Sequence, residues 1–348
     1  MRKRPLSIPL VVAASLLPAA WLSGCTPGAP AKAGKIDVRA ALVLDTGGVD
    51  DKSFNANAWA GMQRAIQGGG VEGKYVESRT PSDYETNLTQ FAAQGYDIIF
   101  AVGYKMQDAV KAVAPQFPDI KFVLVDGAAP NLPNCASLLF REEQGSYLAG
   151  FLAASMTKTH KIGFVGGEQI PLIRKFEAGY DAGARTADPT VQVVSAYTGD
   201  WDDLLKGKSQ AEQEFANGAD IIYHAAGKAG LGVIEAAREK GPGYYAIGVD
   251  ADQDDVAPGR VLTSMMKRLD IAVYDEIEQA RKKRFAPGNH IFGLREGGVS
   301  LSPMKYTKQD IPPQVLQRLK TLQEMIIEGK VTPPATMAEL AAFKPPKV

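Results

Sequence analysis

Residues 93–102 read AQGYDIIFAV, and residues 216–225 read ANGADIIYHA. Each segment closes an amphipathic stretch with Ala-x-Gly-x-Asp and then runs into an apolar strand-like segment. Glycine at that place is a helix C-terminus signal, because it takes up the left-handed conformation that ends a helix at little steric cost. A short apolar run with no polar alternation fits a strand covered on both faces, as in the interior of a parallel sheet. Finding the same helix-turn-strand unit twice predicts two domains of one βα architecture.

The alternation continues outward from both units. VRAALVL, KYVES, KFVLVD and ASLLF read as strands around the first unit, and KIGFVG, VQVVSAY, YYAIGV and VLTSMM around the second. Between them lie helical stretches such as SFNANAWAGMQRAI, GSYLAGFLAASM and IRKFEAGYDAGA. Strands alternating with helices build parallel βαβ sheets. Ten such strands are too many for one comfortable sheet, so the expected class is α/β with two doubly wound lobes. The expected boundaries place residues 37–140 with about 265–298 in one lobe, and 141–264 with about 299–348 in the other. In open parallel sheets a ligand sits beyond the carboxyl ends of the strands, and two facing sheets put that place in the cleft between them.

The amino end is set apart. Arg2, Lys3 and Arg4 precede an apolar run broken by Pro9 and Pro18 and closed by Leu22-Ser23-Gly24-Cys25. This has the form of a secretory signal, residues 1–24, and its close resembles a lipobox, which implies a diacylated Cys25. Residues 25–36, rich in Pro, Gly and Ala, read as a lipidated tether. With Cys25 lipidated, Cys135 has no partner and no disulfide is expected. The 39 basic residues fall to 36 without the three leader cations, against 39 acidic ones. That mild negative balance argues against a nucleic-acid partner, which requires a basic face.

The loops after the strands carry the chemistry. The first, DTGGVDDKSFNANAWAGM at 45–62, has more polar and aromatic material than a turn requires. Asp51 or Ser53 can cap the following helix, which leaves Asp50, Phe54 and Asn55 unexplained. Tyr104 and Gln107 follow DIIFAV, Asp126 ends KFVLVD, Trp201 stands exposed after VQVVSAY, Gly227 precedes a helix, and Asp250 ends YYAIGV. The GKS at 207–209 has Asp202 where a phosphate-binding loop needs glycine. His160, His224 and His290 are scattered, no metal-ligand spacing occurs, and no Gly-x-Ser-x-Gly elbow is present. Carboxylates accept paired hydrogen bonds from vicinal hydroxyls and aromatic faces stack on flat rings, so the pattern fits a binding protein for a hydroxyl-rich ligand with a ring.

GGVDDKSFNANAWAGM, FREEQGSYLAGFLAA, IGFVGG with IPLIRKFEAGYDAGA, GKAGLGVIEAA, and IGVDADQ with VLTSMMKR together resemble the basic membrane lipoprotein (BMP) family, from about residue 38 to 300. Its PnrA-like members are purine-nucleoside-binding proteins of ABC importers. The resemblance implies a type I periplasmic-binding-protein fold, with two Rossmann-like lobes, a hinge and an interlobe ligand cleft. It implies that Phe54 stacks on a purine with Asp50 and Asn55 nearby, that Asp250 grips ribose hydroxyls, and that Lys267 is a polar neighbour. Trp201 stands where the family more often has phenylalanine, and would be the second stacking ring. The expected protein is a monomer without cofactor or metal, held to the bacterial envelope by Cys25. It would bind adenosine, guanosine or inosine and work with a permease and an ATPase. A sensor on the same fold is the alternative, and a nucleoside hydrolase built on DTGGVDD is a further one.

Overall fold

The computed structural model describes residues 35–347; the leader, Cys25 and the tether up to Gly34 lie outside the described residues. Among the described residues, twelve strands form two six-stranded sheets. In the first lobe β1 (Val38–Leu44), β2 (Val71–Glu77), β3 (Ile98–Val102), β4 (Lys121–Val125) and β5 (Cys135–Phe140) alternate with helices α1 (Phe54–Gln67), α2 (Asp83–Ala93) and α3 (Gln107–Val113). The second lobe begins with α4 (Glu142–Met156) and continues through β6 (Lys161–Gly166), α5 (Pro171–Ala187), β7 (Gln192–Tyr197), α6 (Leu204–Ala216), β8 (Ile221–Ala225), α7 (Gly230–Lys240), β9 (Tyr245–Asp250) and β10 (Val261–Lys267). The chain then returns through α8 (Leu269–Arg281) and β11 (Gly288–Phe292), and crosses again to β12 (Val299–Leu301), α9 (Pro313–Ile327) and α10 (Met337–Ala342).

The strand orders are β11-β5-β4-β3-β1-β2 and β12-β10-β9-β8-β6-β7. Every pair is parallel except β10 with β12. The interior strands β3 and β8, from the two repeated units, are buried at every position. The edge strand β2, VEGKYVE, is only partly covered and carries the charges. Residues 265–267, placed with the first lobe from the sequence, pair along β9 and β12 in the second sheet. The sequence reading had neither β11 nor β12; GNHIF pairs beside β5 although it is mostly exposed, so its apolar signal is weak.

The chain passes between lobes at three places: β5 into α4, β10 into α8, and β11 into β12. In each sheet the strand order reverses beside the first strand of the lobe, between β1 and β3 and between β6 and β8. Loops diverge at such switch points and leave a crevice. The two crevices face one another.

Candidate functional site

A cleft with about 660 Å³ of empty space, part of it open to solvent, lies at these crevices. Asp45 and Gly47 after β1, Gly103 and Tyr104 after β3, and Asp126 after β4 line it from the first lobe. The second lobe contributes Leu172, Ile173 and Phe176 from α5, Trp201 after β7, Gly227 and Lys228 after β8, Asp250 ending β9 and Lys267 ending β10. The loop before α1 adds Asp51, and the first turn of the helix adds Phe54 and Asn55.

Asp51 is the cap of α1. Its carboxylate accepts from the amides of Ser53 (2.9 Å), Asn55 (2.8 Å) and Ala56 (3.0 Å), which satisfies orphan donors of the first turn. Burial nevertheless pushes its pKa up to about 6. Ser53 caps nothing with its side chain; its hydroxyl donates across the cleft to Asp250 Oδ2 at 2.6 Å. Asn57 Nδ2 donates to the backbone carbonyls of Asp250 (3.0 Å) and Lys267 (2.6 Å). These are three polar ties from α1 to the second lobe.

Asp126 and Asp250 occupy matching places at strand ends, and both are left-handed, with φ of +63° and +64°. For a residue with a Cβ this conformation is sparsely populated and stores strain, a feature concentrated at binding sites. Lys267 Nζ sits 2.5 Å from Asp126 Oδ2 and 2.8 Å from Glu142 Oε1, and Lys175 Nζ sits 2.9 Å from Glu142 Oε2. Burial disfavours the Lys267 charge, but Asp126, Glu142 and Asp250 outweigh it and hold the ammonium above its ordinary range. Burial raises Asp250 to about 6 against the pull of Lys267 and Ser53. The same ammonium lies 5.4 Å from the Phe54 ring centre and 5.7 Å from that of Phe176.

Trp201 lies over the backbone of Gly167, where a Cβ would come within 2.5 Å of the indole. That close approach requires glycine, and it turns a residue expected to be exposed into part of the cavity wall. At the mouth, Glu168 of the second lobe accepts from Tyr104 OH at 2.6 Å and from Lys105 Nζ at 2.5 Å. Behind the wall His224 is fully buried, and burial pushes its pKa down to about 4. It is neutral and donates through Nε2 to Gln253 Oε1 (2.9 Å), whose amide reaches the Lys52 carbonyl (3.1 Å). Two lining groups, Asn55 Oδ1 and Asp126 Oδ1, are buried without a hydrogen-bond partner among the described residues. Buried polar atoms are ordinarily paired, so each is a place for a ligand atom.

This architecture has relatives. A family model described as ABC transporter substrate-binding protein PnrA-like matches residues 38–332. The chain belongs to that family. It is 33% identical to the ABC transporter nucleoside-binding protein BmpA of Lactococcus lactis subsp. cremoris, covering 96% of this chain and 100% of the relative. It is 37% identical to a CD4+ T-cell-stimulating antigen of Listeria monocytogenes, covering 86% and 88%. The crystal structure of an ABC transporter system solute-binding protein from Aeropyrum pernix K1 superposes with a TM-score of 0.81 at 29% identity, over 88% of this chain and 96% of that one. The fold is the two-lobed α/β arrangement of such solute-binding proteins.

Of the residues singled out from the sequence, Phe54, Asn55, Tyr104, Asp126, Trp201, Gly227, Asp250 and Lys267 line this family member's cavity, and Ser53 touches it through Asp250. Asp50 and Gln107 do not. Asp50 is exposed on the loop before α1, because the cap geometry turns Asp51 inward instead. Gln107 is exposed and its Oε1 accepts from the Ala128 amide at 3.1 Å, holding a neighbouring loop. Sequence reasoning missed the apolar wall of Leu172, Ile173 and Phe176, although IPLIRKF carried its helical spacing. It also missed Lys228, although GKAGLGVIEAA was among the stretches that carried the resemblance.

Proposed function

We propose that this protein binds a purine nucleoside between its lobes, is anchored by lipid at Cys25 outside the bacterial cytoplasm, and delivers its ligand to a membrane permease driven by a separate ATPase. The observation that carries the reading is one cavity with an aromatic wall, Phe54 and Trp201, and two strand-end carboxylates, Asp126 and Asp250. Ring faces stack on a base, and carboxylates accept from ribose hydroxyls. The name of the Lactococcus lactis relative supports the nucleoside class, and family membership supports the transport role.

The hydrolase alternative fits poorly with how the aspartates are used. Asp51 spends its oxygens on three amides, and Asp45 accepts from the Tyr84 hydroxyl and the Thr46 amide. They hold the loop rather than converge on a water. A thermal-shift panel of purine and pyrimidine nucleosides, free bases and ribose tests the reading. A ligand at about 100 times its dissociation constant stabilises the fold by about 2.7 kcal/mol. Shifts with purine nucleosides alone support the proposal; shifts with ribose or a free base, and none with nucleosides, refute it.

A further inference from the structure

Lys228 stands in the turn between β8 and α7 and lines the cavity. The other ammonium groups around the site are neutralised: Lys267 by Asp126 and Glu142, Lys175 by Glu142, Lys105 by Glu168. Lys228 Nζ has no hydrogen-bond or salt-bridge partner among the described residues; burial raises Asp51 and the neighbouring Asp200 raises Asp202, and the Lys228 charge only partly opposes these shifts. The backbone on either side of it is fixed relative to Trp201. The amide of Ala229 donates to the Trp201 carbonyl at 3.0 Å, and Gly227, at φ +54°, lies against both that carbonyl and the indole. The backbone that carries this unpaired cation is therefore stapled to Trp201, while the carboxylates that suit hydroxyls, Asp126 and Asp250, act on Lys267.

Resting on the nucleoside reading above, we infer that Lys228 reads the edge of the base and favours purines that carry a carbonyl at position 6. A ring stacked on Trp201 presents its edge sideways, toward the turn that holds Lys228. Guanine and hypoxanthine offer two adjacent acceptors there, O6 and N7, which is the pattern a lysine ammonium recognises on guanine. Adenine replaces O6 with an amino donor, which opposes the ammonium. The cation is then a specificity residue, and the bare oxygens of Asn55 and Asp126 remain for donors elsewhere on the ligand.

The test is calorimetric titration of guanosine, inosine, adenosine and unsubstituted purine riboside into the wild-type chain and Lys228→Met. Wild type should bind guanosine and inosine at least about tenfold more tightly than adenosine or purine riboside, the lower value of a charge-assisted hydrogen bond. Lys228→Met should bring the four to within about twofold of one another by weakening guanosine and inosine with no loss of adenosine affinity, and the retained adenosine binding shows that the variant folds. Lys228→Arg should retain the preference. An unchanged ratio in Lys228→Met, equal losses for all four ligands, or tighter binding of inosine monophosphate than of inosine would overturn the assignment. Failure of all four nucleosides to bind wild type would bring down the nucleoside reading itself.

Discussion

Asp250 concentrates the chemistry of the site in one side chain. It is nearly fully buried, left-handed, tied to Ser53 across the cleft, and carries a pKa of about 6 because burial outweighs Lys267. Only the ionised form offers acceptors on both oxygens. Affinity should therefore fall as pH drops through 6, by about tenfold between pH 7 and pH 5. Titrations across that range check it, and Asp250→Asn should bind weakly and flatten the profile; a flat wild-type profile would contradict the assignment. Phe54→Ala should weaken binding at least about tenfold through loss of stacking and apolar contact, with melting of the unliganded chain little changed. Single residues were legible where capping failed to account for them: Phe54 and Asn55 were surplus to a turn. Asp50 and Asp51 could not be told apart by type, since only the turn geometry decides which of two adjacent aspartates faces inward.

Two packed helices show how elements place the site. α4, which begins at a lobe crossover, packs on α5, which supplies the apolar wall. Glycines allow the approach: a Cβ at Gly150 or Gly183 would run into the Tyr180 or Tyr147 carbonyl of the facing helix. Gly183→Ala should destabilise the chain by about 1–3 kcal/mol, as overpacking does, and a thermal melt reads it. On α6, Glu214 is buried with neither oxygen bonded among the described residues, in space left by Gly163 of β6. Burial pushes its pKa up to about 9. The folded chain then holds a proton that the unfolded chain has lost, from the ordinary glutamate value of 4.5 up to about 9, so stability falls as pH rises across that window. Each pH unit should remove on the order of 1 kcal/mol, and Glu214→Gln should reduce the slope in melts between pH 6 and 9. The interior strands could be read directly because both faces are buried and nothing interrupts the apolar run. β11 and β12 could not, because they are short or half exposed and are defined by their partners.

Polar contacts tie the two lobes together around the cavity. Ser53 with Asp250, Asn57 with the carbonyls of Asp250 and Lys267, and Gln253 with the Lys52 carbonyl join the lobes at α1, while Tyr104 and Lys105 hold Glu168 at the mouth. Such ties favour the closed form, and a ligand adds its own differential contacts. Glu168→Gln should speed ligand release about threefold, the modest worth of a partly exposed ion pair, and enlarge the unliganded chain in small-angle scattering. The two-lobe plan was legible because one helix-turn-strand unit occurs twice. The interlobe ties were not, since Ser53 and Asp250 are separated by nearly 200 positions and no local pattern joins them. The most direct test of the central claim is calorimetric titration of a purine nucleoside into the purified chain. One-to-one binding, abolished or weakened at least about tenfold by Phe54→Ala, is the predicted result. No heat with guanosine, inosine or adenosine, or equal binding by wild type and variant, would contradict it.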